Sequence, residues 1–144
     1  MFKHILIATD GSELANKAVP YGLELAKLTG AKVTGITVRP HLDDFVAEGV
    51  VINVTDEEKE AFKKEVDHHL DYMRQQADAL GVTLDTVQIE SGEPWKAIVK
   101  ASEDTGCDLI IMASHGRSGL SALIFGSETQ GVLTHCDVPV LVYR

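Results

Sequence analysis

The chain has 144 residues, 44% hydrophobic and 24% charged, enough for one folded domain over residues 1–144 and too little polar bias for a disordered tail. Its formal net charge of −9 and pI near 5.0 oppose polyanion binding, and its 13 Lys and Arg are scattered, so neither nucleic acid nor an anionic membrane surface is an expected partner. No run approaches the roughly 18 apolar residues that span a bilayer, and Met1-Phe2-Lys3-His4 enters an apolar run without a leader-like core, so no membrane insertion and a cytoplasmic location are expected.

Short β-branched runs alternate with longer amphipathic segments, the pattern of βα units on a parallel sheet covered on both faces. The first strand spans 4–8 and leaves through Thr9-Asp10-Gly11-Ser12. Ser12 is placed to cap a helix that runs to Leu28 and stops at Gly30, with Pro20 inside it removing one hydrogen bond and introducing a kink. The second strand, 32–38, exits through Val38-Arg39-Pro40. Residues 41–54 show neither period and read as a variable connection able to cover a pocket.

Thr55 and Glu58 form a capping-box pattern, and Phe62, Val66, Leu70, Met73, Ala77 and Leu80 recur at three and four until Gly81. A third strand follows over 84–90. Pro94 opens a helix that buries Ile98 and Ala101 before Gly106. The fourth strand spans 108–113, and a helix opens at Gly126-Ser127 and carries Val132 and Leu133 towards His135. Val138-Pro139-Val140-Leu141-Val142-Tyr143 forms the fifth strand. The result is an α/β, doubly wound, Rossmann-like five-stranded parallel sheet with helices on both faces.

In such a sheet ligands bind beyond the carboxyl ends of the strands, where the strand order reverses. The candidate site is therefore Thr9 and Asp10, Val38, and the stretch Ala113, Ser114, His115, Gly116, Arg117 and Gly119, joined by Gly126 and Ser127 at the next helix. Glycines let backbone N–H groups face an anion, a helix N-terminus presents more of them, and Arg117 offers a fork of donors. Asp10 suits a ribose hydroxyl, an adenine amino group or a metal; the plainer alternative is a cap on the first helix. The glycines, equally, serve turn geometry in the plainer reading.

Neither Gly-x-x-x-x-Gly-Lys-Ser/Thr nor Gly-x-Gly-x-x-Gly is present, which argues against a P-loop NTPase and a dinucleotide dehydrogenase. The acidic cluster and Lys of a receiver domain are missing too. No nucleophile–base or paired-carboxylate set declares itself, so no catalytic residue is assigned and at most slow turnover is expected. His68 and His69 sit about 100° apart on one helix, a poor metal pair, and no metal ligand is assigned. Cys107 and Cys136 read as reduced thiols outside the site.

Lys3-His4-Ile5-Leu6-Ile7-Ala8-Thr9-Asp10-Gly11-Ser12, Asp108-Leu109-Ile110-Ile111-Met112-Ala113-Ser114-His115-Gly116 and the closing Val138-Pro139-Val140-Leu141-Val142 together resemble the universal stress protein (UspA-type) family over essentially the whole chain. The resemblance implies a strand order of 3-2-1-4-5, a homodimer through the last strand, and, in one branch, ATP bound through Gly-x-x-Gly, nine residues, then Gly-Ser or Gly-Thr. Here Ala113-Ser114-His115-Gly116 is followed by nine residues, Arg117 to Phe125, and Gly126-Ser127. By the same resemblance Asp10 and Val38 contact adenosine, and Gly116, Arg117, Gly126 and Ser127 surround the phosphates.

Ala113 departs from the pattern's first glycine. A positive φ there would cost on the order of 1 kcal/mol, whereas close approach alone tolerates a methyl. The implied function is an ATP-binding (or AMP- or ADP-binding) stress-response regulator, with or without Mg²⁺. The alternatives are a dimeric scaffold for an unidentified protein partner and a slow ATPase or autophosphorylating protein with Ser118, Ser121 or Ser127 as acceptor.

Overall fold

The computed structural model describes residues 1–41, 45–47, 49–116 and 125–144. In chain order the elements are β1 His4–Ala8, α1 Glu13–Thr29, β2 Lys32–Arg39, β3 Phe45–Ala47, β4 Val50–Ile52, α2 Asp56–Leu80, β5 Leu84–Glu90, α3 Pro94–Thr105, β6 Leu109–Ala113, α4 Ser127–His135 and β7 Val140–Tyr143. Five strands form one sheet in the order β5-β2-β1-β6-β7, all pairs parallel. Counting only these strands, the order is 3-2-1-4-5. The chain winds outward from β1 in one direction and from β6 in the other, so the reversal lies between these two central strands.

β1 and β6 are buried throughout, which explains their unbroken apolar runs. Alternation along a strand splits each run between two cores. Ile5, Ile7, Leu109 and Ile111 meet Val19 and Leu23 of α1 and Met73 and Ala77 of α2. Leu6, Ile110 and Met112 meet Ile98 of α3 and Val132 of α4 on the opposite face. At roughly 1.5–3 kcal/mol for each fully buried aliphatic side chain, these two layers dominate the favourable side of folding.

The helix boundaries follow the local chemistry. The Ser12 side chain accepts the Ala15 N–H, and Thr55 and Glu58 make both halves of the capping box. α1, α2 and α3 each end at a left-handed glycine, Gly30, Gly81 and Gly106. Helix α1 is continuous through Pro20. Proline cannot donate to the Asn16 carbonyl four residues back, and the Tyr72 hydroxyl of α2 donates to that carbonyl instead, at 3.1 Å.

Two expectations need correction. Residues 41–54 contain a short antiparallel hairpin, β3–β4, with Gly49 at positive φ in its turn. Three-residue strands are too short to register a period. His41 and residues 49–54 do not line the cleft described below. The fourth and fifth sheet strands also start later than expected, at Leu109 and Val140. Asp108 spends its side chain on the N–H groups of Lys3 and His4, and the Pro139 carbonyl still accepts the Ile110 N–H at 3.0 Å.

Candidate functional site

The ends of β1, β2 and β6 share one edge of the sheet, and a cleft of about 190 Å³ opens there against the first turns of α3 and α4. Its floor is apolar, built from Ala8, Ile36, Val38, Ile98 and Met112. Its polar, partly exposed mouth carries Asp10, His115 and Glu128, and the buried Thr9 and Thr129 add hydroxyls to the lining. A ligand with an apolar body and polar, hydrogen-bonding groups towards the mouth suits this lining.

The turn after β1 is fixed by its own side chains. The Thr9 N–H continues the ladder to the Ile36 carbonyl at 2.9 Å, and its hydroxyl accepts the Gly11 N–H at 3.1 Å. Asp10 Oδ1 accepts the Ser12 N–H at 2.9 Å, an Asx turn that aims the carboxylate along the sheet edge. Its Oδ2 lies against Gly116, where any Cβ would overlap it. Gly116 thus lets the β6 loop close onto the Asp10 carboxylate. The plainer reading of Asp10 as the cap of α1 does not hold, because Ser12 fills that role.

The loop leaving β6 is closed by its two ends. The Ser114 N–H donates to the Tyr143 carbonyl at 2.7 Å, the Gly126 N–H to the Ser114 carbonyl at 2.8 Å, and the Thr129 hydroxyl to the Ala113 carbonyl at 3.0 Å. Ser114 Oγ and His115 Nδ1 are 3.1 Å apart. A Cβ on Gly126 would stand 3.2 Å from the His115 Cα, so the glycine permits this close return. Gly126 caps α4 without a side-chain bond, which leaves the first-turn N–H groups of α4 without a side-chain acceptor from their own cap.

Of the expected site residues, Thr9, Asp10, Val38, Ala113, His115 and Gly116 line the cleft. Ser114 and Gly126 tie the loop ends together, and Ser127 is exposed as the first residue of α4. Arg117 and Gly119, like the acceptors Ser118 and Ser121, lie outside the described residues. Ala113 is a strand residue paired with Tyr143, so the positive-φ penalty does not apply to it.

Sequence reasoning missed the apolar floor residues Ala8, Ile36, Ile98 and Met112, the polar Glu128 and Thr129, and His69 beside the site. Glu128 lines the mouth and accepts the Trp95 N–H at 2.7 Å. The His69 ring of α2 occupies the space beside Gly11 that a Cβ would need, and Gly11 is also at φ +74°. Beside Val38, Arg39 pairs with Glu90 at 3.0 Å. His41 hydrogen-bonds the same carboxylate, and that bond, with the nearby Arg39 charge, holds Glu90 below the usual carboxylate range despite desolvation. Both cysteines are free thiols, and burial pushes that of Cys107 up. Among the described residues no three His, Cys, Asp or Glu side chains gather as a metal site would require.

A doubly wound parallel sheet with an apolar-floored cleft at its reversal point defines a Rossmann-like α/β protein. The chain belongs to the universal stress protein family, whose model matches residues 1–144. It is 32% identical over 147 residues to universal stress protein MJ0531 of Methanocaldococcus jannaschii, covering 100% of this chain and 83% of that one. The solved structure of protein MJ0577 from the same organism superposes with a TM-score of 0.84 at 30% identity, covering 99% and 96% of the two chains. Two more distant structures share the fold: a universal stress protein in complex with cAMP (TM-score 0.74, 18% identity, 99% and 97% covered) and one from Archaeoglobus fulgidus in complex with dAMP (0.67, 20%, 99% and 98%). Among the described residues no helix is long and apolar enough to cross a membrane.

Proposed function

We propose that the chain is a cytoplasmic adenine-nucleotide-binding regulator of the stress response, taking ATP, ADP or AMP. The adenine rests on the floor formed by Ile36, Val38 and Met112, Thr9 and Asp10 read the adenosine, and phosphates run towards Gly116, Gly126 and the α4 N-terminus. The observation that carries this reading is the closure of Gly116 onto Asp10. It joins two separate strand-end loops around one cleft, which a loop glycine kept only for its turn would not need. The relatives solved with cAMP and dAMP bind ligands of the same class.

A binding role is favoured over fast catalysis because the hydroxyl–imidazole pair at the site, Ser114 Oγ with His115 Nδ1, has its serine buried behind the cleft and absent from the lining. Adenine nucleotides are expected to raise the melting temperature progressively, as a ligand that binds only the folded state must. An unchanged melting temperature at millimolar nucleotide overturns the proposal.

The chain also acts as a homodimer through β7. This edge strand has a sheet neighbour on one side, and Leu141 on it is 39% exposed. Leu141→Arg is expected to convert a dimer into a monomer in light scattering; a wild-type protein with the mass of one chain contradicts it.

A further inference from the structure

We propose that Glu128 selects ligand charge at the cleft, favouring adenine compounds with few phosphate charges over metal-free triphosphates. This rests on the adenine-nucleotide reading above. The mouth of the cleft carries two carboxylates, Asp10 and Glu128. That of Glu128 is held in place, because it accepts the Trp95 N–H at 2.7 Å.

The reason lies at the start of α3. Pro94 is its first residue and has no N–H, and the Glu93 side chain makes no cap bond but pairs with Lys96 at 2.7 Å. Glu128 reaches across from α4 and supplies an anion to the α3 N-terminus. A helix N-terminus favours negative charge, and here a protein carboxylate already provides it.

Glu128 also stands one residue beyond Ser127 on α4, whose own first turn lacks a side-chain cap bond. A phosphate drawn to that turn therefore arrives beside a fixed negative charge. Attraction to the α4 N–H groups is the same for any terminal phosphate, whereas repulsion from Glu128 grows with each charge the ligand adds. At an effective dielectric between protein surface and water, a carboxylate about 8 Å away weakens binding by about two- to fivefold per ligand charge.

The test measures dissociation constants for adenosine, AMP and ATP without divalent cations, in wild-type protein, Glu128→Gln and Glu128→Asp. Glutamine keeps a carbonyl for the Trp95 N–H and removes only the charge; aspartate keeps the charge and alters the reach. The expected result for Glu128→Gln is no change for adenosine, about four- to 25-fold tighter AMP with its two charges and about 16-fold or more tighter ATP with its four. Excess Mg²⁺ should shrink the gain for ATP, and Glu128→Asp should keep the wild-type ratio of ATP to adenosine affinity. Trp95 is the only tryptophan, so an unchanged emission spectrum checks that the α3 terminus is intact. Equal shifts for all three ligands in Glu128→Gln, or loss of all three, overturn charge selection while leaving the nucleotide site standing. Failure of every protein to bind any of the three removes the adenine reading and this inference with it.

Discussion

The two ends of the same sheet use polar residues in opposite ways. At the amino ends of β1 and β6 the polar groups close on one another. His4 Nε2 and the Thr34 hydroxyl are 2.8 Å apart inside the protein, and the Asp108 carboxylate accepts the Lys3 and His4 N–H groups at 2.9 and 3.2 Å. Three helices terminate at glycines, and the chain turns back into the sheet. At the carboxyl ends Asp10, His115 and Glu128 border an open cleft, and the starts of α3 and α4 face the same space. One edge is closed on itself, and the other opens into the cleft to which we assign the ligand. Substitutions at the two ends should therefore separate folding from binding.

The largest separation is expected at Gly116. In Gly116→Val the side chain collides with the Asp10 carboxylate and props the β6 loop away from it. Nucleotide affinity should fall by about 100-fold or more, while the melting temperature drops by about 3–10 °C and unfolding stays cooperative, since overpacking at a loop costs on the order of 1–3 kcal/mol. Equilibrium dialysis beside a thermal melt reads both; retained affinity breaks the assignment of this edge.

Asp108→Ala is the converse. It removes the acceptor of two backbone N–H groups and should cost about 1–3 kcal/mol in urea unfolding, with nucleotide affinity unchanged. Burial raises the Asp108 carboxyl, but the N–H groups of Lys3 and His4 outweigh it and hold the group below its ordinary 3.8. A depressed carboxylate stabilises the fold above its unfolded value. This contribution should disappear as pH falls through and below about 4, a loss that Asp108→Ala should no longer show.

The smallest effect belongs to His4. Burial, reinforced by the Lys32 charge, holds its imidazole below the ordinary 6.5. The unfolded chain then binds the proton more readily than the folded one, so stability falls as pH drops through 6.5 towards the folded value and is flat above about 7.5. Melting curves from pH 8 to 5 should show this slope in the wild type and lose it in His4→Gln. A slope that persists places the titration elsewhere.

The same contrast governs how much was legible in the chain. β1 and β6 announced themselves as uninterrupted apolar runs because both faces of each are covered, and Thr55 with Glu58 carries its own local hydrogen bonds. Asp10, Val38, His115 and Gly116 could be placed at one edge because strand ends and topology alone bring them there. Glu128 could not, because its bond to Trp95 joins residues 33 apart and arises only when α4 packs on α3. His69 reached Gly11 only through the docking of α2 on the β1 turn. The β3–β4 hairpin escaped because two three-residue strands carry too few alternations to distinguish from a loop.

Calorimetric titration of the wild-type protein with AMP and ATP tests the central claim most directly. A saturable event at one site per chain, abolished in Gly116→Val, is the expected result. No heat and no displacement of labelled nucleotide at millimolar ligand, from protein that melts cooperatively, would contradict an adenine-nucleotide site at this edge.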